Sequence, residues 1–134
     1  MGPGGYKVRY YTLIDRKVVA CTDLMQWAQW MELARRNDVL RIGREDIGDA
    51  MVSTVFLGLD HAFMGPGPVV FETMIFMEKG NYREEFQWRY MTLEEAEAGH
   101  KAACDWLRQH EANATETARA LLAMLRSEVF ERKP

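Results

Sequence analysis

Two apolar runs separated by a Gly/Pro-rich loop constrain the fold of this chain more than any other feature. The runs cover residues 52–59 (VSTVFLGL) and 69–77 (VVFETMIFM), and the segment between them contains AFMGPGP. Short runs rich in β-branched and aromatic residues on either side of such a loop are typical of an antiparallel hairpin. Their nearly continuous apolar character indicates central strands that are covered on at least one face. The sequence therefore predicts a sheet with this hairpin at its centre.

Three further segments surround that hairpin. Residues 6–21 (YKVRYYTLIDRKVVAC) predict either a second hairpin or one strand interrupted at Asp15 and Arg16. Residues 81–92 (NYREEFQWRYMT) alternate aromatic and polar side chains and predict a third strand beside the central hairpin. Residues 38–50 (DVLRIGREDIGDA) are polar, charged and interrupted by glycine, and we predict an exposed loop there.

The first helix is predicted over residues 23–37 (DLMQWAQWMELARRN). Asp23 and Gln26 form a capping-box pattern at its start, and Asn37 suits its C-terminal end. One helical stripe holds the residues expected to face inward: Leu24, Trp27, Ala28, Met31 and Ala34. Trp30 lies just beside that stripe. We therefore predict that Trp30, or Trp27 if the helix is rotated, is partly exposed and binds a partner protein, with Glu32 and Arg36 at the rim.

A second capping box, Thr92 with Glu95, starts another helix. Its inward stripe is predicted to hold Leu93, Ala96, His100, Ala103 and Leu107. A C-terminal helix over 113–131 is predicted to turn Ala118, Leu122, Leu125 and Val129 inward, so that loss of residues 114–134 would lower stability. Because no Pro or Gly separates the two segments, one kinked helix is the alternative.

These elements together predict an α+β fold with a small antiparallel β-sheet and helices packed on one face. We expect a single domain over residues 1–134, with a flexible N-terminus at 1–5. Hydrophobic residues make up 48% and charged residues 28% of the chain, which is a globular balance.

Charge and composition exclude several classes of function. The net charge is −3 and no run of Lys or Arg occurs, so tight direct binding to nucleic acid is not expected. The chain has neither an apolar run of about 20 residues nor a signal peptide, which predicts a cytoplasmic protein that does not cross a membrane. Cys21 and Cys104 are isolated in apolar surroundings, as is typical of free thiols in a reducing compartment.

Four residues are candidates for chemistry: Asp60, His61, Glu72 and His100. A tight return of the central hairpin would place Glu72 opposite Gly58 and diagonal to Asp60, and a helix packed on the sheet could bring His100 nearby. In one interpretation they form a catalytic acid–base set or a metal site, with His61, Glu72 and His100 as the weak candidate ligands. In the other, Asp60 orders the turn by binding backbone amides, and the remaining three have structural partners. We prefer the second, and expect no cofactor or metal, because no strong ligand spacing occurs.

Three segments, VSTVFLGLDHAF, GPVVFETMIF and RYMTLEEAEAGH, resemble a family of small bacteriophage and prophage proteins. The likeness covers roughly residues 24–105 and leaves out the C-terminal extension. The resemblance implies a protein of phage origin in the bacterial cytoplasm that binds a host or phage protein, such as an anti-CRISPR-like inhibitor of host defence. A homodimer is left open. The alternative function is a small metal- or nucleotide-dependent enzyme that uses the four candidate residues.

Overall fold

The computed structural model of the protein describes residues 9–62, 64–77 and 81–131, with side chains described except at 81–86, 111–115, 117–118, 122 and 126–131. The elements are β1 (Tyr10–Ile14), β2 (Lys17–Cys21), α1 (Leu24–Arg36), β3 (Arg41–Ile47), β4 (Ala50–Phe56), β5 (Phe71–Met77), β6 (Asn81–Tyr90) and α2 (Leu93–Glu131). β1 and β2 form a two-stranded sheet, and the other strands form a four-stranded antiparallel sheet in the order β3-β4-β5-β6. Both helices pack on the larger sheet, so the predicted α+β class is confirmed. The predicted flexible segment 1–5 lies outside the described residues.

The N-terminal segment is a hairpin, which decides between the two alternatives that the sequence leaves open. Asp15 and Arg16 have φ of 50° and 65°, the left-handed values of a two-residue turn whose twist matches the strands. The hairpin also joins the loop after β4, because the Tyr11 amide donates to the Gly58 carbonyl at 2.8 Å. The small sheet is thus tied to the end of the central strand.

Helix α1 begins as predicted, but the residues on its inward side differ from those that the sequence predicts. The Asp23 side chain accepts hydrogen bonds from the amides of Met25 and Gln26, and the helix ends at Asn37. The prediction that Leu24 and Ala28 face inward is wrong, since both are exposed. The inward side instead carries the half-buried Trp27, Trp30 and Met31 and the buried Ala34. The large side chains of this helix cover more core surface in that rotation, because β1 and the end of β4 both lie beneath it.

The first half of α2 closes the core in the way the sequence predicts. The Thr92 amide donates to the Glu95 carboxylate at 3.0 Å, and the Glu95 amide donates to the Thr92 hydroxyl at 3.1 Å, which completes the capping box. The helix residues that reach the two buried clusters on the sheet are Leu93, Ala96, Ala103, Cys104 and Leu107. One face of the sheet is therefore covered by both helices.

The prediction of an exposed loop at 38–50 is wrong, because this segment contains β3 and the first residue of β4. β3 is an edge strand that pairs with β4 from Ile47 opposite Ala50 to Arg41 opposite Val55. Gly48 has φ of 59°, as the turn between the two strands requires. An edge strand of a sheet with one open face takes charged residues on that face, and the resulting polar pattern resembles a loop.

The two predicted segments form one helix, α2, that runs to Glu131, so the alternative of a single helix is confirmed, while its kink stays a prediction. The prediction that Leu125 faces the core is wrong, because its side chain is 57% exposed. The sheet ends before the helix does, and Leu125 is therefore left without core to face. The other predicted inward positions of this segment, Ala118, Leu122 and Val129, have side chains outside the described residues.

Candidate functional site

Asp60 begins the loop between β4 and β5 and holds the backbone of that loop. The residue is 3% exposed, and its Oδ1 accepts from the amides of Ala62 at 2.8 Å and Val69 at 2.9 Å. A buried carboxylate between backbone donors fixes the path of the loop and keeps those donors hydrogen-bonded. These contacts agree with the structural interpretation of Asp60.

Glu72 lies in the middle of the sheet and has an arginine partner. Its Oε2 accepts from Arg89 Nε at 2.9 Å and also from the side-chain amide of Gln87. The predicted position opposite Gly58 is wrong: Glu72 pairs with Val55, because the hairpin closes through a longer loop than a tight return would give.

The space beside Gly58 is filled by α1. A Cβ at this position would lie 2.7 Å from Met31 Sδ, and the backbone has φ of +75°. The Trp27 indole donates to the Gly58 carbonyl at 3.1 Å and to the Tyr11 carbonyl at 3.0 Å. The glycine therefore allows close packing of the helix, and the room it leaves is taken by a side chain of the protein itself.

The structure does not gather the four candidate residues into one site. The side chain of His61 is exposed on the loop, whereas His100 lies on α2. All four side chains are described, and no three of them bring metal-ligating atoms within 4.8 Å of one another.

His100 instead packs against the sheet at β3 and β4. Its Nδ1 lies 2.7 Å from Thr54 Oγ1, which in turn lies 2.6 Å from Thr73 Oγ1. The ring rests on Gly43, where a Cβ would come within 2.8 Å of Nε2. A glycine at this point of β3 is what lets the imidazole approach the strand so closely.

A different group of three residues surrounds this imidazole. Glu45 on β3 joins His100 and Cys104 of α2, and one ligand atom from each lies within 4.8 Å of the other two. Cys104 is buried, and the other two are half-buried at the open edge of β3. The guanidinium of Arg108, one turn beyond Cys104, forms an ion pair with Glu45. Among the described residues this group is the best candidate for a chemical site.

The electrostatics of the group follow from its partial burial. Burial raises the pKa of the Cys104 thiol to about 11, and the nearby Glu45 carboxylate acts in the same direction. Burial also lowers the pKa of His100, with Glu45 opposing part of that change. At neutral pH the Cys104 thiol is therefore protonated in the protein alone, and burial favours the neutral form of the His100 imidazole.

Sequence reasoning found only His100 of this group. Glu45 was missed because its strand was assigned to a loop. The signal that could have found it is the alternation of Gly43, Glu45 and Ile47 on one side of a strand. Cys104 follows His100 by one helical turn, so both side chains share one face of α2.

The two tryptophans of the predicted binding surface on α1 are both half-buried, which agrees with the expected partial exposure, and their role in partner binding stays a prediction. Trp27 donates to the carbonyls of Tyr11 and Gly58, and the Trp30 ring meets Phe56 edge-on at 5.9 Å. Glu32 binds Arg35 at 2.6 Å and Arg36 at 3.1 Å, which lowers the pKa of its carboxyl group. The large apolar side chains that α1 exposes are Leu24, Met25 and Leu33.

The second half of α2 exposes an apolar surface of similar size, the α2 row, formed by Leu121, Met124 and Leu125. These side chains are 54%, 62% and 57% exposed. Positions 103 and 121, like positions 107 and 125, are separated by about five whole turns of a 3.6-residue helix. Leu121 and Leu125 therefore point in the same direction around the axis as the buried Ala103 and Leu107. The face that meets the sheet in the first half continues, uncovered by the sheet, in the second.

Comparison of the chain with protein-family models, curated proteins and solved structures gives no match. The resemblance to phage proteins thus stays a prediction. No helix in the described part of the chain is both long and apolar enough to cross a membrane.

Proposed function

We propose that this protein functions by binding another protein, and that the α2 row is its main contact surface. The observation that supports the proposal is that the core-facing stripe of α2 continues beyond the sheet as exposed Leu121, Met124 and Leu125. Apolar side chains gathered on one side of a helix are a common mark of an interaction site, whereas single exposed ones are not.

The energetics favour a partner at this position. Covering a Leu or Met side chain contributes about 1.5–3 kcal/mol, so three of them offer enough for a specific contact. In proteins, packing of the apolar side supplies most of the stability of a helix, so a partner that covers the α2 row would also stabilise this segment. The segment after Leu107 is about 36 Å long at 1.5 Å per residue, which is long enough to lie along a partner.

The chemistry of the α2 row suits a partner with an apolar groove between helices. Leu121, Met124 and Leu125 follow the spacing of three and four residues by which one helix lies in such a groove. The flexible thioether of Met124 can adapt to an irregular surface. That the partner belongs to host defence is a prediction from the resemblance alone.

Two variants of α2 that add the same charge on opposite sides of the helix test this proposal. Leu125→Glu places a carboxylate in the α2 row, and Ala123→Glu places one at an exposed position about 200° around the axis. Partners captured from a bacterial lysate are identified by mass spectrometry, and the Kd of each purified partner is measured against wild type and both variants. We expect Leu125→Glu to raise Kd about tenfold or more, since that factor corresponds to about 1.4 kcal/mol, and Ala123→Glu to leave it unchanged.

Equal affinity of the purified partner for all three proteins would contradict the proposal. Light scattering supplies the other decisive outcome. If Leu125→Glu converts a dimer into a monomer, the α2 row is covered by a second copy of the chain. The proposal that a different protein covers it is then wrong.

Removal of the second half of α2 is expected to separate stability from binding. A chain that ends at residue 112 should keep its melting temperature within about 2 °C, because the described apolar side chains that it loses are exposed. Partner binding should be lost. This reverses the expectation from the sequence alone, and a fall of roughly 10 °C by calorimetry would show that the segment stabilises the folded domain after all.

A further inference from the structure

We propose that Glu45, His100 and Cys104 bind one zinc ion at the edge of the sheet, between β3 and α2. Their carboxylate, imidazole and thiol groups already lie with one ligand atom each within 4.8 Å of the others. Zinc is bound at about 2.0–2.3 Å by these atom types, which places tetrahedral ligands roughly 3.5 Å apart. Closing the group on an ion therefore requires the ligand atoms to approach one another by about 1 Å.

The three ligands come from elements that the fold holds rigidly. His100 and Cys104 are one turn apart on the part of α2 that packs on the sheet, so their side chains project from the same face. Glu45 pairs with the fully buried Val52 across β3 and β4, and it shares the covered face of the sheet with that residue. Sites built on helices and strands hold ligand geometry better than sites on loops.

The hydrogen bonds of His100 suit a metal ligand. Thr54 Oγ1 lies 2.7 Å from His100 Nδ1 and is itself hydrogen-bonded to Thr73 Oγ1. Nε2 is therefore the ring nitrogen left for an ion. A hydrogen-bond partner on the far nitrogen fixes the tautomer and orientation of ligating histidines in most metal sites. Gly43 lies against the face of the ring, where a Cβ would come within 2.8–2.9 Å of its atoms, so the glycine is what lets the imidazole take this position.

The choice of zinc follows from the donor set and its charges. One sulfur, one nitrogen and one oxygen form a mixed set that suits zinc better than magnesium or calcium, which prefer oxygen ligands alone. The thiolate and the Glu45 carboxylate would balance the two charges of the ion. Arg108 holds Glu45 from the outer side through an ion pair, as an outer partner of a ligating carboxylate does.

Three protein ligands leave a fourth position, and the partial exposure of Glu45 and His100 leaves that position open towards solvent. Water can occupy it, as in zinc sites that carry out chemistry. This inference does not depend on the proposed binding function, because the α2 row lies more than four turns along the helix from Cys104.

Metal titration of two cysteine variants tests the proposal. The protein is purified without a metal-affinity column and treated with chelator, and separate metal-free samples are titrated with Zn²⁺ and with Co²⁺. We expect wild type and the matched control Cys21→Ala to bind about one equivalent of zinc and to gain melting temperature. Both should give a thiolate-to-cobalt absorption band. Cys104→Ala should lose the zinc binding, the gain in melting temperature and the cobalt band. Cys21 lies at the end of β2, away from this group.

Glu45→Gln keeps the test decisive if Cys104→Ala fails to fold, because Glu45 is only half-buried. It should raise the Kd for zinc at least about tenfold, because loss of an interaction that supports a metal site typically costs that much affinity. Absence of zinc binding to wild type would overturn the proposal. An unchanged cobalt band in Cys104→Ala, or an unchanged zinc affinity in Glu45→Gln, would overturn it as well.

Discussion

Replacement of Phe56 by alanine is expected to lower the free energy of unfolding by about 3–5 kcal/mol. Phe56 is 2% exposed and lies in the buried cluster where α1 and the start of α2 meet the sheet. Its ring meets Trp30 of α1 at 5.9 Å and Phe71 of β5 at 5.2 Å. Loss of the ring therefore leaves a cavity that a rigid sheet and a helix cannot both close. Urea unfolding followed by circular dichroism measures the change.

Trp106→Ala is the matched control for this experiment. It removes an aromatic ring that is 45% exposed on α2, and it should change the free energy of unfolding by no more than about 1 kcal/mol. If Phe56→Ala destabilised the protein no more than Trp106→Ala does, the contact of α1 with the sheet would not be part of the core.

Asp60→Ala is expected to lower the free energy of unfolding by about 1–3 kcal/mol. The alanine leaves the amides of Ala62 and Val69 without the oxygen that both now share. These amides belong to the loop that joins the two central strands, so their loss also loosens the hairpin. The same unfolding measurement gives the size of the effect.

Asp60→Asn separates hydrogen bonding from charge. Its side-chain carbonyl can still accept from both amides, so we expect less than half of the loss seen with alanine. Equal losses in the two variants would show that the negative charge of Asp60, rather than its hydrogen bonds to the loop, stabilises the protein.

Helix α2 carries both of the features proposed to be functional. Its first half contributes His100 and Cys104 beneath the sheet edge, and its second half carries the α2 row. The separation has a practical use, because a change such as Leu125→Glu alters the row and leaves the zinc ligands in place. Zinc binding and partner binding can therefore be measured independently in one set of variants.

Local signals in the sequence determined much of the fold. The helix starts at Asp23 and Thr92 depend on residues within three or four positions of one another, and the sequence predicts both. The turn at Asp15 and Arg16 is one of the two alternatives that the sequence leaves open. The central strands and the inward stripe of the first half of α2 were also predictable, because their period matches that of the element. The structural partners of Asp60 followed from the general need of buried polar groups for hydrogen bonds.

Tertiary structure alone decided the rest. The edge strand β3 differs from a polar loop only by the short alternation of Gly43, Glu45 and Ile47, and its identity depends on pairing with β4. For the same reason Glu45 could not be assigned to the group around His100 before the strand was known. The apolar stripe of α2 is alike in both halves, yet Leu107 is buried and Leu125 is exposed. A periodic pattern reports which side of a helix is apolar, whereas the extent of the sheet beneath it decides which part of that side is covered.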